Sequence, residues 1–214
     1  MQRIYCISGL GADHRLFKNL SIEHYELVPL PWAPYDRTDN MSSYADKMAK
    51  NIPGENAIII GLSFGGMLAI EIAKKHPAWK IFLVSSAKTT SELGYNSSFL
   101  RWVSRKEVIP SIFFNRPSFI RLFLLGAQNA EEKKLISLIM RNSDRDFNRW
   151  SVNTLLTWNN LTYPQNITHI HGTSDKVIRP ANVHPDHWIE KGSHIMIYNR
   201  AREVSKIISH CLSF

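Results

Sequence analysis

Glycines stand two residues before and two residues after Ser63, in Gly61-Leu62-Ser63-Phe64-Gly65-Gly66, directly behind the apolar run Asn56-Ala57-Ile58-Ile59-Ile60. The β-branched run reads as a buried strand, and Met67 to His76 reads as a helix halted by Pro77. The chain must therefore pass from strand to helix within a few residues. With Ser63 at the apex in the left-handed region, side chains at positions 61 and 65 would collide, and glycine removes the Cβ atoms that would clash. Such a turn lifts the Ser63 hydroxyl clear of the sheet and sets it at a helix N-terminus. A plain Gly/Ser turn closing a βα unit is the other reading of the same residues.

Strand-like and helix-like segments alternate on either side of this turn, which predicts an α/β fold with a doubly wound, mostly parallel, six-stranded sheet. The expected strands are Arg3–Ile7, Tyr25–Leu30, the run before Ser63, Lys80–Ala87, the run from Ile167, and His187–Glu190. A helix is expected around Arg15 to Leu20. Another, capped by Ser42 or Ser43, places Ala45, Met48, Ala49 and Ile52 on one face. The last helix repeats that spacing with Val204, Ile207, Ile208 and Cys211. Between about Glu92 and Asn160 the alternation stops. Helical runs follow at Ser97–Lys106, Ser118–Leu125 and Ala130–Arg141, among the aromatics Trp102, Phe113, Phe114, Phe119, Phe123, Trp150 and Trp158. The expected division is a core of residues 1–91 and 161–214 with an insertion at 92–160.

The turn resembles the G-x-S-x-G nucleophile elbow of α/β-hydrolases, and three further motifs follow in that family's order. A serine needs a base to take its proton and a carboxylate to orient that base. The resemblance places Ser63 as nucleophile. Asp175, in the loop after His169-Ile170-His171-Gly172, takes the acid position, and His194, after Lys191-Gly192-Ser193, the base position. Asp175 also suits a turn start or helix cap, and His194 a cap or solvated loop. Ser85-Ser86-Ala87-Lys88, where the family has its alternative acid position, carries no carboxylate. The loop Ser8-Gly9-Leu10-Gly11 resembles the family's His-Gly-x-Gly, with Ser8 in place of histidine. It implies an oxyanion hole from the Leu10 and Phe64 N–H groups. Asp13 reads as a helix cap and His14 as an exposed loop residue.

By the same resemblance, the sheet lacks the family's two N-terminal antiparallel strands, and the insertion is a helical cap over the active site. The implied activity is hydrolysis of a small-molecule carboxylic ester, with an acyl or aromatic pocket and no cofactor. Thioesters or amides are alternative substrates, and a non-catalytic small-ligand binding protein is the alternative class. An aspartate-nucleophile chemistry is excluded because position 63 is serine.

Composition bounds the remaining possibilities. The formal net charge is +8, and residues 101–149 hold ten Lys/Arg against five Asp/Glu, which is +5 of it. These basic residues are scattered singly among apolar ones and no nucleic-acid motif accompanies them, so they read as solvated helix faces. A preference for anionic substrates or membrane surfaces is the functional alternative. No apolar stretch suffices for a bilayer span, and Met1 runs straight into the first strand, so the expected compartment is cytoplasmic. Cys6 and Cys211 read as small buried hydrophobes. His169-x-His171 and His184-Pro185-Asp186-His187 invite a metal reading, but the first pair already leads into the acid loop, and no metal is expected.

Overall fold

The computed structural model describes residues 1–94 and 118–213. The expected helix at 97–106, and Trp102, Phe113 and Phe114, lie outside the described residues. Six strands form one sheet: β1 (Gln2–Ile7), β2 (Tyr25–Pro29), β3 (Ile58–Leu62), β4 (Lys80–Val84), β5 (Ile167–Gly172) and β6 (His187–Ile189). Their order is β2-β1-β3-β4-β5-β6, and every neighbouring pair is parallel. Chain direction across the sheet reverses between β1 and β3, in register at Cys6–Ile60 and Ile7–Gly61. The crevice beyond the carboxyl ends of strands at such a reversal is where open α/β sheets bind ligands.

Alternate strand residues feed two cores. Tyr5, Ile7, Ile59, Ile81 and Leu83 face one side, beneath α1 (Met41–Ala49) and α2 (Phe64–Lys75). Ile4, Cys6, Ile60, Phe82 and Val84 face the other side. Helices at residues 119–125 (α3), 130–142 (α4) and 145–157 (α5) follow β4, a short helix α6 (Met196–Asn199) follows β6, and α7 (Ala201–Leu212) closes the chain. The sequence had offered no helix at 145–157. Among its residues Phe147 and Trp150 pack into the first core. Among the described residues, no helix is long and apolar enough to cross a membrane.

Several local expectations are corrected. α1 is capped by Asn40 rather than by Ser42 or Ser43: the Asn40 side chain accepts from the Ser43 N–H at 2.9 Å, and the Ser43 hydroxyl accepts from the Asn40 N–H at 3.0 Å. This reciprocal capping box satisfies two donors that a helix start leaves open. The helix expected around 15–20 is only a 3-10 turn, His14–Phe17, capped by Asp13. Beyond it the chain is drawn onto the C-terminal segment, where Asn19 donates to the Tyr198 carbonyl and the Ser21 N–H to Ser205. β4 stops at Val84, short of Ala87, because Ser85 turns left-handed with φ 49°. Cys211 is only partly buried, whereas Cys6 is fully buried and its thiol is pushed up to about 12 by desolvation.

Asn40→Ala should lower stability by about 1 kcal/mol. For a chain of this size that is a fall of about 2–4 °C in Tm. Thermal unfolding followed by circular dichroism checks it, and Ser42→Ala in the same experiment should have a smaller effect.

Candidate active site

Ser63 follows β3 with φ 52° and ψ −119°, a strained conformation for a residue with a side chain. Its surroundings hold it there. The Ser63 N–H donates to the Val84 carbonyl at 3.0 Å, and the Ser86 hydroxyl donates to the Ser63 carbonyl at 2.7 Å. Both flanking glycines are required, for different reasons. A Cβ on Gly61 would overlap Gly65 and Gly66 across the turn, as expected. A Cβ on Gly65 would instead strike the carbonyls of Ile7 and Ser8. The second glycine thus lets the elbow approach the loop after β1.

That approach brings the backbone amides of Leu10 and Phe64 to the same crevice. Among the described residues, neither N–H has an acceptor. The Ser8 hydroxyl, at the position where histidine was expected, donates to the Ala12 carbonyl at 3.2 Å and closes the loop on itself. Phe64 opens α2, so its amide also lies at the positive end of the helix dipole.

The structure brings the other two candidates to Ser63. His194 Nε2 lies 3.0 Å from Ser63 Oγ, and His194 Nδ1 lies 2.8 Å from Asp175 Oδ2. Asp175 is buried, and its second oxygen accepts from the Val177 and Ile178 N–H groups at 2.8 and 3.0 Å. Burial is the largest influence on its carboxyl and opposes ionisation. The charge and hydrogen bond of His194, the charge of His171 and the Val177 N–H together outweigh it, and hold the group below the usual carboxylate range.

His171 enters the site in a role the sequence did not suggest. Its Nε2 faces the Ile178 carbonyl at 3.0 Å and stands 3.6 Å from Asp175 Oδ2, the same oxygen that His194 Nδ1 meets. A carbonyl accepts only, so the proton sits on Nε2. Burial chiefly, against the pull of Asp175, lowers its basicity. One strand turn earlier, His169 packs edge-on to it at 5.3 Å. Burial, with the charges of His171 and Lys88, drives His169 down to about 3. The period-2 spacing of these histidines on β5 marked a shared face; what occupies that face was not legible. Among the described residues, no group of three or more His, Cys, Asp or Glu is disposed to hold a metal. His14 is exposed, His184 offers only its carbonyl, to Lys88, and His187 lies beside Cys211.

A cavity of about 210 Å³ opens beside Ser63 and His194. Its walls are aliphatic, from Leu16 and Leu62 to Leu124, Ile136 and Met140, with one cation among the described residues, Arg121. No described aromatic lines it, so of the acyl or aromatic pocket that was expected, the described walls offer the aliphatic, acyl-like part. Trp150 and Trp158 are buried instead, donating to the Asp39 carbonyl and to Glu71, and Phe119 and Phe123 are exposed. α3 is tied to the loops that carry the triad candidates: the Ile195 N–H donates to the Leu125 carbonyl at 3.2 Å, and the Lys176 ammonium sits 3.3 Å from the Phe123 ring centre.

No family model matches the chain. A curated relative, the bifunctional protein BioHC of biotin biosynthesis from Teredinibacter turnerae, is 25% identical over 208 residues, which cover 82% of this chain and 36% of that protein. The chain thus spans about a third of the length of the curated relative it matches. Among solved structures, an epoxide hydrolase from Bacillus megaterium superposes with a TM-score of 0.74 at 11% identity, covering 100% of this chain and 94% of that one. A thermophilic esterase from Thermogutta terrifontis superposes with a TM-score of 0.69 at 14% identity, covering 100% and 90%. The chain has the α/β-hydrolase fold.

The two buried histidines make stability acid-sensitive. In the unfolded chain a histidine takes up its proton near 6.5, whereas folded His169 refuses it until about 3. Between those values the unfolded state binds the extra proton, so stability falls as pH falls. His169 alone should cost on the order of 2 kcal/mol between pH 7.5 and pH 5. Urea unfolding at the two pH values should show a smaller loss for His169→Gln than for wild type; equal losses would remove His169 as the cause.

Proposed function

We propose that the chain is a serine hydrolase acting on a carboxylic ester, with residues 92–160 as a cap over the core of 1–91 and 161–214. The observation that supports this most is the unbroken hydrogen-bond chain from Asp175 through His194 to the Ser63 hydroxyl, 2.8 and 3.0 Å long, ending on a strained turn beside two amides that lack acceptors among the described residues. Each part has a task that the geometry suits. His194 Nε2 removes the hydroxyl proton as Ser63 Oγ attacks the ester carbonyl. The carbonyl oxygen gathers negative charge and is held by the Leu10 and Phe64 N–H groups. The tetrahedral intermediate collapses, the C–O bond to the alcohol breaks, and His194 returns the proton to the departing oxygen. Water then repeats the sequence on the acyl-enzyme, losing its proton to His194, and Ser63 is released with its own proton restored. Asp175 remains ionised, fixes the proton on Nδ1 and stabilises the imidazolium of each half-reaction. His171, facing the same Asp175 oxygen as His194, helps to position that carboxylate.

The aliphatic wall favours an acyl or alkyl group in the cavity, where water is excluded during attack. The 25% identity to BioHC, and the esterase and epoxide hydrolase among the structural neighbours, are compatible with hydrolysis without choosing the bond.

Treatment with a small fluorophosphonate should add one adduct to the wild-type chain by intact mass and none to Ser63→Ala. Turnover of short 4-nitrophenyl esters should fall at least about 10³-fold in the same variant. If folded wild-type protein takes no adduct and turns over no ester, thioester or amide, the site is a small-ligand binding site and the hydrolase reading fails.

A further inference from the structure

The helix over the cavity is built against the usual rule of burial. In α3 (Phe119–Leu125), Phe119 is 79% and Ile120 is 68% exposed, while the charged residue between Ile120 and Leu122 turns inward. Arg121 lines the cavity together with Ser63 and His194. Its Nη1 is buried and has no hydrogen-bond partner among the described residues. Burial also weakens the hold of this guanidinium on its proton, and no carboxylate offsets that effect. Arg121 as a whole is half-buried, but a guanidinium nitrogen without a partner is normally left in water, because a buried donor to which nothing bonds loses its hydration for no return. Here the side chain faces an otherwise aliphatic chamber beside the nucleophile, with apolar residues of its own helix left outside.

We propose that Arg121 is a specificity-determining residue that binds a carboxylate carried by the substrate, so that the site takes acyl esters bearing a second, free carboxylate at the far end of an aliphatic chain. The inference rests on the ester-hydrolase reading and names its substrate class. A guanidinium presents a planar fork that matches a carboxylate with two hydrogen bonds. Among the described residues Arg121 is the one cation in an aliphatic wall, which suits a single negative charge, whereas a doubly charged phosphate monoester calls for several donors. Leu124, Ile136 and Met140 would lie along the methylene chain between the two ends of the substrate. The bond that forms and the bond that breaks are those of ester hydrolysis; Arg121 transfers no proton and acts only by holding the distal charge.

The test uses two chromogenic esters with acyl chains of equal length, mono-4-nitrophenyl glutarate and 4-nitrophenyl pentanoate, on the full chain. In wild type the ratio of kcat/KM, anionic to neutral, should exceed that in Arg121→Gln by about 10–100-fold, the range for a hydrogen-bonded charge. Arg121→Lys should recover part of the ratio, because the charge is kept and the fork is lost. A ratio unchanged by Arg121→Gln overturns the proposal while leaving the hydrolase reading intact. Should wild type hydrolyse neither ester, binding still decides the role of Arg121. Glutarate binding to Ser63→Ala, measured by calorimetry, should weaken at least tenfold in Ser63→Ala/Arg121→Gln, and equal affinities would overturn the proposal.

Discussion

The contact of the elbow with the loop after β1 is what the rest of the site depends on. Gly65 packs on the carbonyls of Ile7 and Ser8 so closely that no side chain fits, and Gly61 packs on Gly65 and Gly66 in the same manner. These approaches place the Ser63 hydroxyl and the amides of Leu10 and Phe64 in one crevice. The strain of Ser63, on the order of 1–3 kcal/mol for such a backbone, is offset by the bonds to Val84 and Ser86 from the neighbouring strand. The reversal of the sheet between β1 and β3 supplies the space: loops diverge there, and a crevice opens at the one edge where both strands end.

Behind the crevice lies an interior more polar than a parallel sheet requires. One oxygen of Asp175 faces both His194 and His171, and two backbone amides close its other oxygen. Further along β5 come His169 and then the Asp186 carboxylate, which accepts from the His169 N–H at 2.7 Å. Lys88 donates to the His184 carbonyl, and its own backbone is held by Glu92 and Asn160. Most of these groups are buried, so few of their bonds are exchangeable for water. Such an interior fixes the position of the acid loop at the cost of sensitivity to protonation.

The parts legible in the sequence were those written in short-range steric rules. Glycine at fixed offsets from Ser63, β-branched runs ending in polar loops, and Pro77 after a helix all act within a few residues, and they located the six strands, α2 and the elbow. The residues that required tertiary information were less visible. Asn40 was passed over in favour of Ser42 and Ser43 because all three side chains are good caps, and only the position of the helix start selects among them. Helix α5 carries its apolar residues Phe147, Trp150 and Leu155 among polar ones, and its stability comes from rings in distant segments: Tyr44 stacks on Trp150 at 4.5 Å and Trp32 on Phe147 at 4.9 Å. His171 looked like half of a metal pair because spacing reports a shared face but not its neighbours. Arg121 was one of ten basic residues in its stretch, and only the cavity distinguishes it from the rest.

Ser63 and His194 are 131 residues apart in the chain, yet their side chains must meet within 3.0 Å. Asp175, Leu10 and Phe64 arrive from other strand ends, so no contiguous fragment of the sheet carries a complete site. Any intermediate in which β5 and β6 have yet to dock on β4 has an elbow but no base. Under the proposed mechanism, reactivity of Ser63 reports whether the last strands have joined the first, and a serine-directed reagent added during refolding would time the closure of the sheet, independently of any spectroscopic signal from its helices.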